Sequence, residues 1–146
     1  LDPASAVPLD GRRESPRRGY PLNMSFWLGV ALEDCIFCKI IAGKIPCKRI
    51  FEDADVLAFH DIHPVAPVHF MLIPKLHIDS LVQVNSGHQM LLGKMLALAS
   101  KLAVEQGCSD GWRTVINTGR VGRQEVYHLH IHIIGGNEIL PGMVKR

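Results

Sequence analysis

Charge of one sign, cysteine and long apolar runs are all scarce in this chain of 146 residues. Its 16 basic residues are nearly balanced by 14 acidic ones, for a net charge of +2, so no surplus of cations argues for a nucleic acid or an anionic membrane surface. A small-molecule partner is expected instead. Four cysteines are too few to staple a domain of this length, and two of them form Cys35-Ile-Phe-Cys38, a spacing suited to a metal or redox site in a reducing compartment. Cys47 and Cys108 read as single thiols, packing or surface residues. No stretch approaches the roughly 18 apolar residues of a membrane span, which leaves a soluble, cytoplasmic protein as the expectation. With 47% hydrophobic residues, the chain can bury one core without cross-links.

The beginning of the chain reads differently. Pro3, Pro8, Pro16 and Pro21, the pairs Arg12-Arg13 and Arg17-Arg18, and little apolar periodicity mark residues 1–33 as a flexible leader, with Met24 a candidate for the native start. The apolar run from Ser25 to Leu32 is short for an export signal, and no small-x-small cleavage pattern follows it. The domain is therefore expected to occupy residues 34–146.

Within it, DCIFCKIIAG from Asp34 to Gly43 has helical apolar spacing and a glycine end. Three β-type runs follow, Arg49 to Glu52, Val56 to Ile62 and His69 to Ile73, with connections short enough to favour antiparallel neighbours. Ser86 with Gln89 has the form of a capping box, opening a helix whose stripe is Met90, Leu91, Met95, Leu98 and Leu102 and whose end is Gly107. Trp112 to Asn117 and Val126 to Ile134 are two further strands, joined by the loop Thr118 to Arg123. Grouped strands with two helices predict an α+β class built on a five-stranded antiparallel sheet.

The last strand carries the chemistry, in Tyr127-His128-Leu129-His130-Ile131-His132-Ile133-Ile134. Strand alternation predicts three imidazoles on one face, about 6 to 7 Å apart along the backbone, with Leu129, Ile131 and Ile133 turned into a core. Three titratable rings on one face make a site, because packing alone would leave their donors and acceptors to be satisfied.

His128-Leu-His130-Ile-His132-Ile-Ile134 resembles the signature of the histidine-triad (HIT) superfamily. Phe59-His-Asp-Ile62, Pro67-Val-His69, Ile73-Pro-Lys-Leu-His77, Gln124-Glu-Val-Tyr-His128 and Gly135-Gly136 are similar to its Hint branch of purine nucleoside phosphoramidases in bacterial form. The dinucleoside polyphosphate branch usually has Pro-Arg where this chain has Gly135-Gly136. The resemblance implies that His130 attacks the α-phosphorus to give a nucleotidyl-imidazole that water hydrolyses, with no catalytic metal. It also implies that His132 binds the phosphate and that His69 belongs to the site, though a histidine between Val68 and Phe70 is also common in cores. Asp61 takes the position of the ribose acceptor, or of a turn aspartate before His63-Pro64; Phe59, His60 and Ile62 lie beside it at the base, and Asn117, Gln124 and Glu125 on the phosphate side.

Two positions depart from the family pattern. Glu125 stands where animal members have serine, and Arg123 replaces a usual glycine, as an added phosphate contact or an obstruction. Cys35, Cys38, His77 and His128 match a structural zinc set, with a disulfide or a free thiol pair as the alternatives. The resemblance further implies a homodimer whose two sheets join into one of ten strands, and a purine nucleotide such as an AMP conjugate as partner. Two other readings remain at this stage. His-x-His on a strand also ligates catalytic zinc, and a nucleotide-binding regulatory module would carry the same pocket without useful turnover.

Overall fold

The computed structural model describes residues 34–144; the expected leader lies outside them. Helix α1 (Ile36–Ile41) opens the domain. It is short because Cys35 caps it, accepting from the Cys38 N–H at 3.3 Å, and because Gly43 behind it takes φ 79°, a left-handed turn that a side chain would resist. Strands β1 (Arg49–Glu52), β2 (Val56–His60) and β3 (Val68–Pro74) follow, then α2 (Gln89–Glu105), β4 (Trp112–Val115) and β5 (Ile131–Gly135). All five strands form one antiparallel sheet in the order β1-β2-β3-β5-β4.

The sheet is covered on both faces, as the unbroken burial of Val56 to Phe59 requires. On one face Val56, Ala58, Phe70, Leu72, Ile131 and Ile133 pack against Met95, Ala99 and Leu102 of α2. The other face carries Leu57, Phe59, Met71 and Ile73, closed by Phe37 and Ile40 of α1. His69 and His132 alternate with the first set along β3 and β5, so they share the α1 side. Lys94 of α2 reaches across to Asp53 at 2.6 Å and Asp55 at 2.9 Å beside the β1–β2 turn.

The expected capping box is displaced by one residue. Asn85 accepts from the Gly87 N–H at 2.8 Å while His88 Nδ1 accepts from the Asn85 N–H at 3.1 Å, and together they cap a 3-10 turn, Ser86–His88, ahead of α2. The larger correction concerns the last strand, which begins at Ile131 and not at Val126. Beyond the Leu72–Ile131 pair, β3 ends at Pro74, which has no N–H to continue the ladder, and the Pro74 carbonyl accepts from His128 Nε2 at 2.8 Å. Leu129 N–H instead donates to the Ile78 carbonyl at 2.7 Å. Leu129, Ile131 and Ile133 are nonetheless buried, as alternation predicted.

Candidate active site and metal cluster

Antiparallel pairing of β3 with β5 sets Met71 opposite His132 and His69 opposite Ile134, which brings His69 diagonally onto His132. Their rings meet with His69 Nε2 2.9 Å from His132 Nδ1. His130 follows, its ring centroid 4.9 Å from that of His132, and Phe37 of α1 packs edge-on against His130 at 5.2 Å. Asp61, just past β2, places Oδ2 3.3 Å from His69 Nε2. Its Oδ1 accepts from the His63 N–H at 2.8 Å, so the carboxylate makes the turn and faces the site at once. A cavity of about 660 Å³ opens beside these groups, lined by Lys48, His60, Asp61, Ile62, Pro67 and His69 among others.

The protons of these rings follow from what the opposite nitrogens meet. His130 Nδ1 lies 2.8 Å from the His128 carbonyl, which can only accept, so His130 carries its proton there and keeps the Nε2 lone pair. Val65 N–H donates to His69 Nδ1 at 3.1 Å. Neutral His69 therefore holds its proton on Nε2 and donates to His132 Nδ1, which leaves His132 with an N–H on Nε2. Neighbouring rings thus present opposite functions, a lone pair on His130 and a donor on His132. Burial is the main reason that His130 loses affinity for a second proton, the bond to the His128 carbonyl opposing it in part. Burial also drives His132 down to about 4, helped by His130 and His69, and lowers His69 against the pull of Asp61. Neutral imidazoles at neutral pH are the consequence.

His128 parts company with the other two. Its Nδ1 lies 3.3 Å from Cys35 Sγ and 3.6 Å from Cys38 Sγ, and His77 Nδ1 lies 3.3 Å from Cys38 Sγ. All four donor atoms fall within 4.8 Å of one another. Metal–sulfur bonds of about 2.3 Å and metal–nitrogen bonds of about 2.0 Å at tetrahedral angles separate donors by about 3.3 to 3.8 Å, so the set fits zinc. The far nitrogens agree: His128 Nε2 donates to the Pro74 carbonyl, and His77 Nε2 to Asp79 Oδ1 at 2.7 Å, which leaves both Nδ1 lone pairs for a metal. The Cys38 hydrogen bond, with help from His128 and His77, pulls the Cys35 thiol far down against burial, and that same bond with burial pushes Cys38 up. For His77, burial is outweighed by Asp79 and Cys35, which raise it to about 9.

Asp61, His69 and His132 also approach one another within 4.8 Å, the composition of an open catalytic zinc site. Their wiring is the reverse of the cysteine cluster. The outer nitrogen of His69 accepts a backbone N–H, so the inner one carries a proton and cannot ligate a metal as a neutral imidazole.

Among the other expected residues, Phe59 is buried against Phe37 at 5.7 Å and supports the site from beneath. His60 is half-buried on the cavity wall and Ile62 is 83% exposed at its rim. Asn117 is half-buried just past the end of β4. Gln124 is buried with both N–H groups committed, to the carbonyls of Asp79 at 2.7 Å and Val126 at 2.9 Å, so in this structure it shapes the loop. Glu125 is exposed, and its negative charge opposes in small part the fall in His130's proton affinity that burial causes. Sequence reading missed Phe37, Asp79 and Val65. Asp79 stands two residues beyond His77 and could have been noticed; the Val65 N–H has no side-chain signature.

Residues 34–145 match the family described as scavenger mRNA decapping enzyme C-term binding. Protein HitA of Neisseria gonorrhoeae is 51% identical over 104 residues, 71% of this chain and 97% of that protein. The chain belongs to the histidine-triad hydrolase family. A purine nucleoside phosphoramidase of Escherichia coli is 43% identical over 115 residues, covering 78% of this histidine-triad chain and 97% of the relative. A HIT family hydrolase from Legionella pneumophila superposes with a TM-score of 0.71 at 45% identity, over 73% of this chain and 96% of that one. Among the described residues of this histidine-triad protein, no helix is long and apolar enough to cross a membrane.

Proposed function

We propose that this protein cleaves the P–N bond of purine nucleoside phosphoramidates or related AMP conjugates, through a nucleotide bound covalently to His130. The observation that carries the reading is the opposed wiring of His130 and His132. His130 Nε2 offers its lone pair to the α-phosphorus while His132 Nε2–H donates to a phosphate oxygen as charge gathers there. The new P–N bond forms to His130 as the bond to the amine breaks, and the amine leaves with a proton drawn from solvent, which the water of the second step gives back. Water then displaces His130 from phosphorus, releasing the nucleoside monophosphate and restoring the neutral ring. His69 holds His132 in its donating tautomer and is itself held by Val65.

The E. coli relative's activity supports this substrate class. Hydrolysis of adenosine 5′-phosphoramidate at least tenfold faster than of a diadenosine polyphosphate is the expected result. The reverse order assigns the chain to polyphosphate cleavage, and nucleotide binding without turnover of either makes it a regulatory module.

Asp61 Oδ2 is proposed to accept from the ribose hydroxyls. Asp61→Asn keeps the acceptor that holds the turn, so its expected effect is selective: the preference for ribose over deoxyribose substrates falls about tenfold, the worth of one hydrogen bond to a charged acceptor. Unchanged preference assigns the ribose elsewhere.

The cysteine cluster would hold zinc through Cys35, Cys38, His77 and His128. Four protein ligands leave no open position, so the ion supplies stability and fixes His128. A cytoplasmic setting, which keeps thiols reduced, is part of the same proposal because such a cluster needs them so.

A homodimer is part of the same proposal. Met90, Leu96 and Val104 of α2 are 88%, 47% and 52% exposed, while Met95 and Leu102 face the core, so the helix has apolar surface that its own sheet leaves open. Strand β4 is an edge strand beside which a second sheet can join. Light scattering at micromolar concentration should give twice the chain mass; the mass of one chain rejects the dimer.

A further inference from the structure

Arg123 is the one non-glycine residue among the described residues with a left-handed backbone, at φ 62°, a conformation whose steric cost glycine escapes. The loop around it leaves little alternative. Arg123 N–H donates to the Arg120 carbonyl at 3.1 Å, Gln124 N–H to the Gly119 carbonyl at 3.0 Å, and Gly119 N–H to Gln124 Oε1 at 3.0 Å. At Gly122 a β-carbon would come within 2.4 Å of the Thr118 carbonyl oxygen, so the chain cannot shift its arginine one place back. Among the described residues the side chain itself does nothing to offset the cost, since Arg123 is exposed and its guanidinium makes no ion pair or hydrogen bond there. Strain retained without an internal partner points to an external one.

The position of the loop says which part of the substrate that partner is. The loop leaves the sheet just past β4, where Val115 pairs with His132 of β5, and returns through residues 124–128 to His130, which puts it at the rim of the nucleophile. None of residues 118–125 lines the cavity that holds Asp61 and His69. In the strand order β1-β2-β3-β5-β4, Asp61 and His69 stand on the β2–β3 side of the histidine strand and the loop on its β4 side, so the loop side is left for the departing group. We infer that Arg123 reads an anionic group on the leaving amine, so that the preferred conjugates carry a carboxylate or a phosphate there.

Guanidinium pairs with either anion through two parallel N–H groups, and the test separates them. Three AMP phosphoramidates are compared, of tryptamine with no charge on the amine side, of alanine with a carboxylate, and of O-phosphoethanolamine with a phosphate. The parent is expected to favour at least one anionic conjugate over the tryptamine conjugate about tenfold in kcat/KM, and whichever it favours identifies the anion. Arg123→Asn, which tolerates the left-handed backbone and removes the charge, should bring that ratio near one. Arg123→Lys should keep part of it, and added salt should erode it.

This inference rests on the phosphoramidase reading, and their failures differ. Hydrolysis of the tryptamine conjugate with no preference for charge, or a preference untouched by Arg123→Asn, overturns the role of Arg123 alone. A parallel fall on all three substrates in Arg123→Asn overturns it too, because the arginine then serves only the loop. No hydrolysis of any conjugate by the parent removes both readings.

Discussion

His130→Gly is expected to lose turnover by at least three orders of magnitude while binding AMP about as well as the parent. In the proposed scheme, rate comes from holding one neutral imidazole lone pair against phosphorus and from splitting hydrolysis into two displacements. Among the described residues no other group has that preparation. His132 presents an N–H to the same place, and the Nδ1 lone pair of His128 is turned toward the two sulfurs. Glycine removes the ring, leaving the Phe37 edge and the His128 carbonyl without their partner, yet it leaves the nucleoside cavity intact. His132→Ala should retain more activity, because it removes charge stabilisation and spares the nucleophile. Rapid quench of the parent during turnover, followed by peptide mass analysis, should find one nucleotidyl group on the peptide that contains His130. Label on another residue, or near-parent turnover in His130→Gly, would sink the covalent mechanism.

The second large effect is on stability. Cys35→Ser should lose the bound metal and lower the melting temperature on the order of 10 °C, as expected when about 3 kcal/mol of linked binding energy is removed from a domain of this size. Catalysis should fall less steeply than in His130→Gly, but it should fall. His128 would ligate the metal through Nδ1, while its carbonyl accepts the His130 proton at 2.8 Å. Loosening His128 therefore loosens the bond that keeps the attacking nitrogen free of a proton. Metal content by elemental analysis, scanning calorimetry and kcat on the same preparation check the three parts. Metal retained in the variant, or a metal-free protein with an unchanged melting temperature, removes the structural role.

Much of the fold was legible because burial and pattern coincide. The alternation that turns Leu129, Ile131 and Ile133 inward survives even though the strand begins only at Ile131. The strand was read too long because nothing in Val126 to His130 itself forbids pairing. What ends it is the partner, where Pro74 has no N–H and its carbonyl is taken by His128. The α2 stripe was read to include Met90, yet Met95 and Leu102 pack in the core while Met90 is exposed, since five residues of helix carry Met90 about 140° round the axis from Met95.

The residue types at both clusters, and therefore their possible chemistry, are determined by the sequence: imidazoles in alternate positions, a thiol pair two residues apart, a carboxylate ahead of His63. The tertiary structure alone decided which imidazole does what. Three histidines of one motif became a neighbour of two cysteine sulfurs, a lone pair and a proton donor. Where a neutral ring keeps its proton depends on what its other nitrogen meets. Here those groups are the His128 carbonyl, the Pro74 carbonyl and, through His69, the Val65 N–H. Every residue but proline carries both kinds of backbone group, so no side chain in the sequence announces them, and only folding brings them within hydrogen-bond distance of a particular nitrogen.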